Sequence, residues 1–436
     1  MKIDTISFHT LGCRLNQSET AVLENVFSAE GYRVVGADQP ADIVVINTCT
    51  VTEHGDADTR KLVSKVNRQN PNVRIALIGC QAQVQKEKLL RFPNVRWVVG
   101  NGPKMDLARI LKESPTDQPP RVLAPTISRD SFTIPAAGID RRHTRANLKI
   151  QDGCDFFCSF CEIPYARGRA RSREFDDILK EARSLAAAGH KEIVITGINV
   201  GTYANNGNTL IDVVTALEDV PDLERIRISS IEPTTIPRDL ILKMSRRGKL
   251  CRYLHVPLQS GDNGILSAMK RKYTVEEFKD FIQYAAAAVP EICIGTDVIV
   301  GFPGEGEEQF ERTYHVLLES PVHYFHVFTY SPRTMARSRH LVSPVAAQIL
   351  RDRSERLRGL SQRKRRIYYE SLLGTTQHVL WEQNKGGAWT GVADNYIRVK
   401  TASDQSLENQ LLPARLTRIE DQTVWGTIAA ATAVPR

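Results

Sequence analysis

Residues 151–168 read "QDGCDFFCSFCEIPYARG". Cys154, Cys158 and Cys161 fall there as C-x3-C-x2-C, with aromatic residues filling the gaps. A zinc site pairs cysteines two apart and needs a second pair further along. No fourth Cys or His lies close by. Three thiolates on one tight loop suit a cubane iron–sulfur cluster, which they hold by three irons, leaving the fourth open to a small molecule. Cys251 and Cys293 fall in or before expected strands, where packing is the expected role.

Upstream, buried strands alternate with helical stretches. "IDTISFHTLG" precedes a helix expected from about Gln17 to Glu30, "DIVVINTCT" precedes "DADTRKLVSKVNRQ", and "VRIALIGC" and "VRWVVGNG" continue the series. That alternation predicts a parallel, doubly wound sheet over 1–112. Ligands of such sheets gather at the carboxyl ends of the strands. Cys13, Cys49 and Cys80 each stand just past a predicted strand, 36 and 31 residues apart. The fold would bring them to one sheet edge as a second metal site.

Residues 113–143 contain "ESPTDQPPR" and break the periodicity, which predicts a linker. Over 144–345 six strands return: "ANLKIQDGC", "EIVITGINVGTY", "RIRISSIEP", "RYLHVPLQSG", "CIGTDVIVGFPGE" and "YFHVFTYSP". Most have a helix between them, which predicts an α/β chain whose central part is a partial (β/α)6 barrel. Chemistry in such barrels sits on the loops after the strands. Asn199, Glu232, His255, Gln259, Asp297 and Tyr330 occupy those ends. "GFPGE" lacks the Lys-Ser/Thr of a phosphate-binding loop and reads as a rim turn. A basic connector helix is expected over 346–367, then a small antiparallel β-barrel over 368–434.

The chain has 436 residues and carries 58 basic against 50 acidic residues, a net +8. That favours an anionic macromolecular partner. The N-terminus shows no signal-peptide pattern and no stretch approaches a membrane span, so a cytoplasmic protein with no membrane partner is expected. Reduced thiols in that compartment argue for ligand or packing roles over disulfides.

The three-cysteine motif after a first barrel strand, with Phe160 before its last cysteine, resembles the radical S-adenosylmethionine (SAM) superfamily. The resemblance implies that the open iron chelates SAM, and that one electron cleaves the sulfonium to a 5′-deoxyadenosyl radical. Gly197 and Asn199 in "TGINVG" match the motif that holds the cofactor's amino group; Glu232, Gln259 and Asp297 are further candidates for cofactor or substrate contact. "TLGCRLNQSET", "INTCTVT", "IGC", "SSIEP", "HVPLQSG", "GTDVIVGFPGE" and "YSPR" together resemble the methylthiotransferases over essentially the whole chain, with a C-terminal barrel similar to a TRAM domain. The resemblance implies two [4Fe-4S] clusters, the second on Cys13, Cys49 and Cys80, and two molecules of SAM, one methylating a sulfur and one supplying the radical.

Within that family, Leu15-Asn16 resembles the branch that acts on N6-threonylcarbamoyladenosine at position 37 of tRNA. "YSPRTMARSR" departs from that branch by lacking a Gly-Thr-x-Ala continuation. The alternatives are isopentenyladenosine in tRNA, a ribosomal-protein aspartate, or a non-catalytic RNA-binding iron–sulfur protein. The implied partners are a tRNA anticodon stem-loop and an electron donor such as flavodoxin or ferredoxin; the enzyme is expected to be a monomer. Arg363 and Arg365 are nominated for the phosphate backbone, and Arg333 for the threonyl carboxylate. No acid–base catalytic residue is nominated, because the cofactors carry the hard chemistry.

Overall fold

The computed structural model describes residues 4–50, 53–114, 118–140, 142–341 and 345–429. Six parallel strands form the first sheet in the order Arg33–Val35, Thr5–Thr10, Ile43–Thr48, Arg74–Gly79, Val95–Val99, Arg121–Leu123. The central strands are apolar on both faces because helices cover both. Phe27 and Leu107 pack on one side, Val63 and Leu89 on the other. The expected linker is therefore not wholly irregular: Trp97, Val98 and Val99 pair with Arg121, Val122 and Leu123. The proline-rich composition concealed a three-residue edge strand, too short for a period-2 signal.

Six further strands follow in chain order: Arg145–Lys149, Glu192–Thr196, Arg225–Ile228, Tyr253–His255, Cys293–Val300 and Tyr324–Thr329. Each set of three forms a parallel sheet. The bridges Ile226–Leu250 and Ser230–His255 join the sets into an open barrel. Alternation sorts the side chains. Ile193, Ile195, Ile226, Ile228, Leu254 and Val298 enter the core beneath the helices. Their neighbours Glu192, Arg225, Arg227, His255 and Asp297 take the other face, where Arg227 pairs with Glu192 at 2.7 Å. Cys251 and Cys293 are buried, in keeping with packing roles.

The connector helix runs from Ala347 to Ser371, four residues past its expected end. Five strands then close a barrel in the order Thr376–Lys385, Ala388–Ala393, Arg398–Ala402, Thr423–Ile428, Leu411–Glu420. It is not wholly antiparallel, since Val399 and Lys400 run parallel to Val424 and Trp425. Residues 430–434 of the expected span lie outside the described residues. Among the described residues no helix is long and apolar enough to cross a membrane.

Candidate active site

The 154–161 loop leaves the first barrel strand through Gly153. A Cβ there would stand 2.0 Å from the Arg169 carbonyl oxygen, at φ +75°. Phe157 inside the loop also holds a positive φ of 49°, a strained conformation that persists only where surroundings impose it. All three sulfurs receive an N–H: Phe156 N to Cys154 Sγ (3.5 Å), Ile163 N to Cys161 Sγ (3.4 Å) and Arg271 Nη1 to Cys158 Sγ (3.1 Å). Burial nevertheless pushes the Cys154 thiol up to about 11 and raises Cys158 and Cys161 as well. Three thiols crowded out of water in this way gain most from a cationic centre that displaces their protons. The donor set therefore fits an iron–sulfur cluster.

In the first domain, Cys13 is the N-cap of the helix Arg14–Ala29, and Cys80 opens the helix Cys80–Gln85. Cys49 ends the turn after Ile43–Thr48. A Cβ on Gly12 would stand 2.8 Å from Cys49 Sγ, so the first two cysteine loops touch. Asn16 ties them: its Nδ2 donates to the carbonyls of Leu11 (2.7 Å) and Thr48 (3.1 Å). Asn101 Nδ2 donates to Cys80 Sγ (3.5 Å) and to the Ala166 carbonyl (2.7 Å), linking the third cysteine to the barrel.

Beside Cys13 and Cys80 lies a buried charged network. Arg167 donates to Glu19 and Asp152, each at 3.0 Å, and to Asn16 Oδ1 at 2.6 Å. Lys149 bonds Glu19 and Asp152, each at 2.7 Å. Lys104 pairs with Glu19 and donates to Asn101 Oδ1 at 2.6 Å, and Arg171 reaches Asp152 at 3.2 Å. Against burial, which works the other way, Arg167, Lys104 and Lys149 hold Glu19 well below the usual carboxylate range. Burial pulls Lys104 down to about 8. Four cations thus face two carboxylates, and Arg167 Nε is buried without a hydrogen-bond partner. Uncompensated buried charge is costly. An anionic, thiolate-ligated cluster beside Cys80 and Cys13 supplies the missing negative charge, so these residues fit it.

The two cysteine loops also meet directly. Thr50, next to Cys49, lies 3.5 Å from Glu162, next to Cys161. Arg333 clasps that contact by bonding Thr50 (2.9 Å), Asp56 (2.8 Å) and Glu162 (3.4 Å). Arg333, nominated for the threonyl carboxylate, is buried and paired with these two carboxylates.

The other nominated residues divide. Gly197 brings backbone close to Gln151, whose carbonyl oxygen would stand 3.1 Å from an added Cβ. Asn199 Oδ1 accepts from Thr235 (2.9 Å), while its buried Nδ2 has no partner; an unpaired donor at a strand end suits a polar ligand such as SAM. Glu232 pairs with Arg271 and so joins the radical loop through Cys158. Gln259 holds φ +69° and its backbone bridges Val298. Phe160 packs against the cluster of Ile265, Met269 and Phe302. Asp297 accepts from His255 Nε2 (3.0 Å) and His326 Nδ1 (3.1 Å), and these two histidines keep it ionised far below its ordinary range despite burial. Arg363 is exposed and bonds Tyr314; Arg365 lies 5.1 Å over the Tyr324 ring. Sequence reading took Asn16 only as a branch marker, and missed Glu19, Asn101, Arg167 and Arg271. Of these, "RLN", "ARGR" and "KRKYT" carried only charge and amide clues.

An open six-stranded barrel with three thiols on the loop after its first strand defines a radical SAM enzyme. Residues 148–317 match the Radical SAM superfamily model, and residues 5–100 match the one described as Uncharacterized protein family UPF0004. Two relatives are named Threonylcarbamoyladenosine tRNA methylthiotransferase MtaB. The one from Bacillus subtilis is 36% identical, covering 94% of this chain and 93% of its own. The one from Aquifex aeolicus is 37% identical, covering 91% and 96%. In fold the chain is similar to the radical SAM methyltransferase TsrM from Kitasatospora setae, solved with cobalamin and a [4Fe-4S] cluster. The TM-score is 0.55 at 18% identity, over 76% of this chain and 77% of that one. The chain belongs to the radical SAM tRNA methylthiotransferases, enzymes that transfer sulfur-containing groups with SAM and [4Fe-4S] clusters.

Proposed function

We propose that this enzyme inserts a methylthio group at C-2 of N6-threonylcarbamoyladenosine at position 37 of tRNA, in the anticodon loop. The printed names of its relatives and "TLGCRLNQSET" support the substrate. The observation that supports the two-site chemistry is the contact of Thr50 with Glu162, which brings the loop after Cys49 against the loop after Cys161. On this reading Cys154, Cys158 and Cys161 hold the radical-generating cluster, and Cys13, Cys49 and Cys80 hold the second.

The clusters and SAM, when bound, supply the carbon radical and the sulfur. The chain supplies position. The N–H groups of Phe156, Ile163 and Arg271 orient the sulfurs of the first triad. Asn16 and Asn101 position the second, and the buried Arg167 network braces the side of Cys80. Asn199 Nδ2 offers the cofactor a donor. Asp297 holds His326 by Nδ1, which turns its Nε2 outward as a contact for the substrate base.

Mass spectrometry of tRNA nucleosides from a strain lacking the gene tests the substrate. The methylthio derivative of threonylcarbamoyladenosine is expected to disappear while its unmodified parent accumulates. Unchanged levels would refute the assignment. Complementation with Cys13→Ala and, separately, Cys158→Ala is expected to fail in both cases.

A further inference from the structure

Another cavity, with none of the six triad cysteines in its lining, lies where the last barrel strand, the connector helix and the C-terminal barrel converge. It encloses about 430 Å³ and is lined in part by Tyr324, His326, Arg365, Tyr369, Tyr396 and Arg398. Among the described residues no carboxylate lines it, although Asp297 bonds the lining residue His326. A larger cavity, lined mainly by the first helix and the 138–147 stretch, in contrast carries Glu24, Asp140 and Glu382. Two arginines without an acidic counterpart make this wall attractive to an anion.

Its other feature is a run of aromatic faces. Tyr324 and Tyr396 are stacked at 22° with centroids 6.3 Å apart, and His326 meets Tyr324 edge-on at 5.5 Å. Phe328 continues the same strand face and is 44% exposed, with the His326 side chain 55% exposed. Burial raises the Tyr369 phenol, so it stays neutral beside an anion. Aromatic faces with flanking arginines and no acid bind splayed-out nucleotides: bases stack on the rings and phosphates meet the guanidinium groups.

We propose that this pocket receives an unpaired nucleotide of the RNA loop next to the one being modified, stacking its base against Tyr369 and Tyr396 and its phosphate against Arg365 and Arg398, with the buried Tyr324 backing the wall. This rests on the tRNA reading and adds a subsite to it. Pulling one neighbouring base aside would leave the target base unstacked and free to enter the barrel mouth.

The test uses the cluster-loaded enzyme and an anticodon stem-loop RNA with 2-aminopurine on either side of the target adenosine. One 2-aminopurine is expected to change its fluorescence several-fold on binding, with that response lost in Tyr369→Ala and restored in Tyr369→Phe. Arg398→Ala is expected to weaken stem-loop binding about tenfold and to lower the salt dependence by about one counterion. If the unaltered enzyme binds the stem-loop with both fluorophores silent, or if Arg398→Ala binds as tightly as the parent, the pocket proposal is overturned while the tRNA reading stands. If the unaltered enzyme binds no stem-loop, both fall. Saturable binding of adenosine monophosphate with no fluorophore response would reassign the pocket to a free nucleotide and overturn the proposal.

Discussion

Asn16 spends both hydrogens of its side-chain amide on carbonyls from two different cysteine loops and offers its oxygen to Arg167. Alanine there would untie the two loops and take one of its acceptors from a buried guanidinium that keeps Glu19 and Asp152. Asn16→Ala is expected to lower bound iron from about eight to about four per chain after anaerobic reconstitution, with the radical cluster's spectrum retained. Gly12→Ala is expected to give the same loss, because its φ of +92° excludes a Cβ that would strike Cys49. At the other triad, Arg271 places a charged donor on Cys158 Sγ. Such hydrogen bonds make a cluster easier to reduce, so Arg271→Ala is expected to shift the radical cluster to a more negative potential in a spectroscopic redox titration. The cysteines themselves were legible, since thiols at strand ends and in a tight triplet have few other uses. Their supports were not. Glu19 and Arg167, for instance, are 148 residues apart in sequence and meet only through folding.

The connector helix shows what a local pattern cannot say about an element. Its basic run suggests one wet cationic face, yet much of it is neutralised within the molecule. Arg353 pairs with Glu305 and Glu307, and Arg356 with Glu307 and Glu311. Leu357 and Leu360 are buried beside them. The helix is thus a strut against the last barrel helix, Glu307–Glu319, and contributes Arg365 to the aromatic pocket. Ahead of the last barrel strand, His323 accepts from the Ile294 N–H. Burial, with help from the Lys364 charge, lowers it to about 4 from an ordinary 6.5. The unfolded chain therefore takes up a proton that the folded one refuses. This contribution to stability is intact above about pH 6.5 and falls away toward about pH 4, by about 2–3 kcal/mol. His323→Gln is expected to flatten that part of the stability–pH curve in urea titrations.

Arginines tie the whole molecule together. Arg252 reaches Asp394, Glu291 and Gln377, Arg227 bonds the Ala393 and Asp394 carbonyls, and Arg225 bonds the carbonyls of Val392 and His378. These contacts seat the C-terminal barrel on the inner strands of the central one. Glu192, held at about 2 by Arg227 although burial opposes it, is the counter-charge at that seam. Glu192→Gln leaves Arg227 buried and underpaired, and is expected to destabilise the protein by about 3–5 kcal/mol, read as a lower thermal midpoint. Earlier hydrogen exchange is expected in both barrels than in the N-terminal sheet.

Period and spacing alone were enough to lay out the three successive folds and to single out six thiols at strand ends and in one tight triplet. Buried strands, amphipathic helices and a three-cysteine triplet each write their requirement into neighbouring residues. Tertiary structure alone decided that Arg333 clasps the two cysteine loops, that the expected linker adds a strand, and that Arg353 and Arg356 of the cationic helix are neutralised within the fold. A charge has no preferred partner until packing removes water and leaves one within reach, and that choice is made between residues hundreds of positions apart.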